Sequence, residues 1–167
     1  MAGAYSLSGI MTDVMLEQQP YGQPFYFPFI LFAYLDFYPS IGTVEQYLLP
    51  EYVFLADWFD GYHSSDEIND AMPDIPITIM KPEEVQIFEE DANHPLRVAL
   101  QENDLWNWNP QAPMHMFHGL GDELVPYENS QMAYDQFVVN GAQDVHLEFI
   151  PESYGGHADV APWALFG

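Results

Sequence analysis

The hydrophobic and polar positions are most regular in the last third of the chain. MHMFHG (114–119) is a short apolar run closed by glycine, the pattern of a buried strand. An amphipathic helix is predicted over 128–139, with Met132, Ala133, Phe137 and Val138 as its apolar side and Asn140-Gly141 as a left-handed stop. DVHLEFIP (144–151) then alternates Val145, Leu147 and Phe149 with His146, Glu148 and Ile150, which predicts a second strand. Strand, helix and strand in that order make a right-handed βαβ unit of a parallel sheet.

The middle of the chain has a different rhythm. Val44 to Phe59 places apolar residues at Val44, Tyr47, Leu48, Leu55, Trp58 and Phe59, close to helical spacing. Glu83 to Leu100 does the same through Val85, Phe88, Leu96, Val98 and Leu100, with Pro95 breaking or starting a helix. Three parts follow: 1–15, a strand end and turn; 16–110, helical and rich in aromatics, Pro and acid; and 111–167, the βαβ unit. The fold class is α/β, with no internal repeat or low-complexity linker.

Composition narrows the classes. The 167 residues are 49% hydrophobic and 16% aromatic, enough to bury a core and too apolar for a disordered chain. Against 26 Asp and Glu stand only Lys81 and Arg97, a net charge of −24. Nucleic acid is thereby excluded as a partner, because binding it needs basic residues to neutralise phosphate. Salt screens such self-repulsion, so a salt-adapted source is expected. With no cysteine there is neither disulfide nor thiolate metal site. The apolar run 24–38 is interrupted by Pro28 and Asp36 and is too short for a membrane span. The first residues lack the basic and apolar regions of a signal peptide.

The candidate chemistry lies after the two strands. Asp122 follows the first by way of Gly119 and Gly121, and His157 follows the second by way of Gly155-Gly156. In an open α/β sheet catalytic groups collect at the carboxyl ends of strands. A carboxylate there can orient an imidazole that takes a proton from a serine. An Asx-turn residue and an ordinary loop histidine are the plainer readings of the two.

PMHMFHGLGDELVPYENSQMAYDQFVVNGAQDV, with GGHA after it, resembles the C-terminal part of a bacterial α/β-hydrolase of the secreted lipase, esterase and prolyl-oligopeptidase-like group. That family runs from an apolar strand into H-G-x-x-D-x-x-V-P, then a helix with N-S near its start, a strand and G-x-H. The resemblance implies a partial α/β-hydrolase sheet with a long helical lid, and it places the triad acid on Asp122 and the base on His157. AGAYSLSG (2–9) resembles the segment that follows the nucleophile elbow and precedes the lid. Ser6 is therefore not expected to be the nucleophile, since only Met1 to Ala4 could supply the buried strand an elbow needs and they are too few.

The implied function is hydrolysis of ester, or amide, bonds, without cofactor or metal, and the isolated chain is expected to be inactive. Phe25, Phe27, Phe29, Phe32, Trp108 and His118 are candidate substrate-binding residues, with lid-core packing as the plainer reading of the phenylalanines. His115 and His118 form an H-x-x-H pair, but positions three apart on a strand face opposite ways, which is poor for joint metal ligation. The acidic run 57–70 does not match the calcium-loop spacing. The expected partners are a small acyl ester or peptide, and self-association or a complementing N-terminal half. The family points to a secreted or periplasmic location. Two other classes stay open: a non-catalytic module holding an apolar ligand through the aromatic segment, and an acidic partner protein.

Overall fold

The computed structural model describes residues 3–166. Its helices and strands run in chain order α1 (Thr12–Leu16), α2 (Tyr26–Phe37), α3 (Val44–Tyr47), α4 (Leu55–Trp58), α5 (Ser65–Asp70), α6 (Pro82–Glu90), α7 (Pro95–Glu102), β1 (Met114–Gly119), α8 (Glu128–Val139), β2 (Val145–Ile150) and α9 (Ala161–Phe166). They form two compact units, one of Met1–Thr12 with Asn103–Gly167 and the other of Asp13–Glu102.

The first unit is built on a two-stranded parallel sheet, β1 beside β2, in register from Met114↔Val145 to Gly119↔Ile150. Parallel neighbours need a crossover, and α8 supplies it. Ala133 and Phe137 of α8 close over Met116 and Val145 of the strands, with Tyr5, Trp106 and Leu147 packed at the margin. Burial of a side chain the size of Phe137, Met116 or Val145 contributes roughly 1.5–3 kcal/mol. At the end of α8, Gly141 adopts φ 92°, its N–H bonds Val138 O at 3.0 Å, and Ala142 N bonds Phe137 O at 3.0 Å. This paired closure satisfies carbonyls that the helix leaves open.

The apolar side expected for α8 is displaced. Ala133 and Phe137 are buried, but Val138 is exposed and Met132 only half-buried, while Asn129 and Ser130 take the inner face. Those two polar groups are tolerated because each has a bonding partner inside. The side chain of Asn129 accepts from Ser6 N at 3.0 Å, and Ser130 meets His118.

Residues 3–6 form no strand; a π-helix, Leu7–Met11, begins directly after Ser6. A segment is a strand only beside another, and this segment meets the backbone of residues 103–105 through the bond from Leu105 N to Tyr5 O, 2.8 Å, with no ladder. Nearby, Ser8 donates from its backbone N to Asp104 at 3.0 Å and from its hydroxyl to the same carboxylate.

The second unit is helical, with one isolated antiparallel bridge, Leu48↔Met80. The helical spacing over Val44–Phe59 does not give one helix. It breaks after Tyr47, where Leu48 turns extended to make the bridge and Pro50 opens a 3-10 turn. Pro82 and Pro95 open α6 and α7, where a missing N–H costs nothing. Ser64 and Glu67 form a reciprocal capping box on α5. Leu31, Tyr47, Leu55, Ile68 and Ile79 lie in the interior. Among the described residues no single helix is long and apolar enough to cross a membrane.

Candidate active site

The chain leaves β1 at Gly119 and reaches Asp122 within three residues; it leaves β2 at Ile150 and reaches His157 after a 3-10 turn at Glu152–Tyr154. Because Gly119 and Ile150 are register partners, the two departures start side by side. The two loops then run close together. A Cβ on Gly121 would stand 2.9 Å from Gly155 O, and one on Gly156 would collide with the Glu123 carboxylate. At Gly121 the close approach is to backbone and requires glycine, whereas at Gly156 it is to the end of the Glu123 side chain, which can move.

Asp122 uses its two oxygens differently. Oδ1 accepts from Leu124 N at 3.0 Å and Val125 N at 2.8 Å, closing a tight turn. Oδ2 accepts from His157 Nδ1 at 2.7 Å and lies 3.4 Å from His118 Nε2. The turn-shaping role and the histidine-orienting geometry therefore coexist in one residue. Its side chain is fully buried. Burial alone would raise the carboxyl, but hydrogen bonds from His118, Val125 N, His157 and Leu124 N outweigh it and hold the group at about 2.

His157 is one-third exposed, and with a hydrogen on Nδ1 for Asp122 its Nε2 is left as an acceptor. Nε2 has no hydrogen-bond partner among the described residues. The backbone of the histidine loop is held by carboxylates as well: Glu123 accepts from His157 N and Asp159 from Gly156 N, each at 3.0 Å. Among the described residues no group of three or more His, Cys, Asp or Glu is arranged to hold a metal ion.

The chain was compared with solved structures. The rice cell wall degrading esterase LipA from Xanthomonas oryzae superposes with a TM-score of 0.81 at 22% identity, covering 97% of this chain and 44% of the esterase. A putative hydrolase from Legionella pneumophila superposes with a TM-score of 0.80 at 25% identity, covering 98% of this chain and 43% of the hydrolase. The chain has the fold of the C-terminal part of an α/β-hydrolase. It spans less than half the length of these structures. No protein-family model matches it, and neither does any curated protein.

In an α/β-hydrolase sheet, side chains converge at the carboxyl ends of neighbouring strands, and there the structure joins Asp122, His157 and His118. The other candidates are placed elsewhere. Trp108 lies with its ring 5.5 Å from Phe137 and donates from Nε1 to Leu105 O at 3.1 Å. Phe27, Phe29 and Phe32 lie on α2 in the second unit and Phe25 directly before it; Phe29 meets the Phe59 ring tilted at 5.9 Å, Phe32 meets it edge-on at 5.4 Å, and Phe25 meets Tyr26 at 4.3 Å. Ser6 is buried, donates its N–H to Asn129, and accepts from Ile10 N through Oγ at 3.3 Å. His115 lies on the opposite face of β1 from His118, exposed beside Glu148 at 3.5 Å.

Two supporting residues, Glu123 and Asp159, carried no signal of their own in the sequence, and a third, Ser130, carried little. Each acts through a contact across loops or across the βαβ unit, where periodicity and spacing report nothing. Only the Asn-Ser pair at the start of α8 marked one of them.

Proposed function

We propose that this chain carries the acid and base of a serine esterase. The observation that carries the reading is the 2.7 Å bond between buried Asp122 and His157 Nδ1, which leaves Nε2 unprotonated and open. The likeness to an esterase and to a putative hydrolase supports ester hydrolysis as the reaction.

The reaction then runs in two halves. His157 Nε2 removes the proton of a serine hydroxyl while the serine oxygen attacks the ester carbonyl. The imidazolium, stabilised by the ionised Asp122, returns that proton to the departing alcohol and leaves an acyl-serine. Water repeats the sequence: Nε2 takes its proton, its oxygen attacks the acyl carbon, and the serine leaves reprotonated.

The serine is not one of those whose bonds the first unit shows. Ser6, Ser8 and Ser130 commit their hydroxyls to Ile10, Asp104 and His118. Among the described residues no serine is hydrogen-bonded to His157 Nε2, and the acid and the base are assigned without naming the attacking serine.

The test is p-nitrophenyl ester hydrolysis and fluorophosphonate labelling of the protein as its source organism makes it, with and without His157→Ala. A fall in kcat of roughly 10³-fold or more with little change in KM supports the assignment. Equal activity without the imidazole overturns it.

A further inference from the structure

Behind Asp122 lies a second histidine that the proposed reaction does not use. His118, at the end of β1, is fully buried, as is the carboxylate beside it. Buried polar atoms need partners, so the ring's hydrogen positions follow from its neighbours. Nε2 lies 2.8 Å from Val125 O, and a carbonyl only accepts, so Nε2 carries the hydrogen. The same N–H faces Asp122 Oδ2 at 3.4 Å. In the neutral ring Nδ1 is then an acceptor, and the hydroxyl of Ser130, 2.6 Å away on α8, donates to it.

Ser130, His118 and Asp122 thus line up as serine, histidine and aspartate, but with both ends sealed. Ser130 is also fully buried, so no acyl group can reach its oxygen. The line is also reversed, the serine on Nδ1 and the carboxylate on Nε2, opposite to the sense in which His157 uses Asp122.

We infer that His118 is a positioning residue for Asp122, its Nε2–H bonded to Val125 O and held 3.4 Å from the carboxylate oxygen that also serves His157, and that Ser130 locks the tautomer which puts the hydrogen there. The inference rests on the reading of Asp122 and His157 as acid and base. Asp122 is faced by His157 in front, His118 behind and the backbone of Leu124 and Val125 below, with the Glu123 carboxylate on the histidine loop beyond. Three N–H groups bonded to its two oxygens keep the carboxylate from turning, and the His118 N–H stands 3.4 Å from Oδ2. They also keep it from taking the proton that His157 must hold.

The experiment is NMR on the 167-residue chain, which needs no activity. In wild type, nitrogen–proton correlations of His118 should show the Nε2–H tautomer, and the Asp122 carboxyl should titrate near 2. His118→Phe keeps an aromatic ring and removes the donor; the Asp122 midpoint should rise by about one pH unit, a tenfold gain in proton affinity. An unchanged midpoint in the folded variant overturns the inference. Ser130→Ala gives the second arm, should the larger change unfold the chain. It should spread the His118 hydrogen over both ring nitrogens, and a ring that stays wholly Nε2–H overturns the role of Ser130. The two readings fail separately. An unmoved midpoint beside hydrolysis that still requires Asp122 rejects the positioning role alone. Hydrolysis indifferent to Asp122 rejects the acid assignment whatever the NMR shows.

Discussion

Asp122 Oδ2 accepts the Nδ1 hydrogen of His157 at 2.7 Å, across 35 residues of chain, while its other oxygen closes the turn over Leu124 and Val125. The carboxylate is fixed by its own loop as well as by the histidine. A first prediction comes from the difference between an acceptor and a donor at this position. Asp122→Asn can keep the turn through its amide oxygen, but its NH₂ then faces Nδ1 and forces the hydrogen of His157 onto Nε2. Ester hydrolysis should fall about 10⁴-fold in kcat with the fold intact. Circular dichroism and steady-state kinetics on the same sample check both halves.

Acid stability gives the second. Asp122 stands at about 2 in the folded chain against 3.8 for the free group. A carboxylate with a depressed folded value stabilises the fold above its unfolded value, and that contribution drains away as pH falls from about 4 through about 2. Nearly two units correspond to about 2 kcal/mol. Urea unfolding should therefore show wild type losing its advantage over Asp122→Asn between pH 6 and pH 2, a gap closing by about that amount. A gap constant over that range would contradict the shift.

Gly156 and Glu123 yield the third. A methyl at 156 strikes the carboxylate that accepts from His157 N. Gly156→Ala should displace Glu123 and loosen the histidine loop, lowering esterase activity more than stability. Glu123→Ala should absorb most of the damage, so a double-mutant cycle should return a coupling of about 1 kcal/mol. Strict additivity would mean that the two groups do not meet.

Tyr47 provides a fourth, in the helical unit. Its hydroxyl is fully buried and donates to Ile41 O at 2.6 Å. Burial first, and the charge of Glu84 second, push its phenol up to about 12. An acid whose folded value is raised stabilises the fold below its unfolded value, near 10, and the contribution is lost as pH rises toward 12. Tyr47→Phe should cost about 1–2 kcal/mol at neutral pH and remove that alkaline loss. Denaturation at neutral and alkaline pH, followed for both proteins, checks the sign.

How much of this was legible in the sequence depended on the range of the forces involved. The strand expected over 114–119 is observed at Met114–Gly119, the helix expected over 128–139 at Glu128–Val139, and the strand expected over 144–151 at Val145–Ile150. Local signals set each of these: an apolar run, a helical period, and a glycine free to take positive φ. The buried face of α8 was legible in Ala133 and Phe137 but not in Asn129 and Ser130, which lie inside through bonds to Ser6, 123 residues away, and to His118 on the strand before. The break after Tyr47 was hidden for a similar reason. Leu48 leaves the helix to pair with Met80, and no window around Leu48 contains Met80.

The staple of Ser8 to Asp104, with Tyr5 O and Leu105 N beside it, gives the chain an evolutionary property. The backbone leaves the sheet-bearing unit at Thr12 and re-enters it at Asn103, and this clasp ties the exit to the return. A stretch whose two ends are pinned together by its host can be lengthened, shortened or exchanged as a cassette with little loop-closure cost to the host. The bonds among Asp122, His118, Ser130 and His157 are all made by residues outside the cassette.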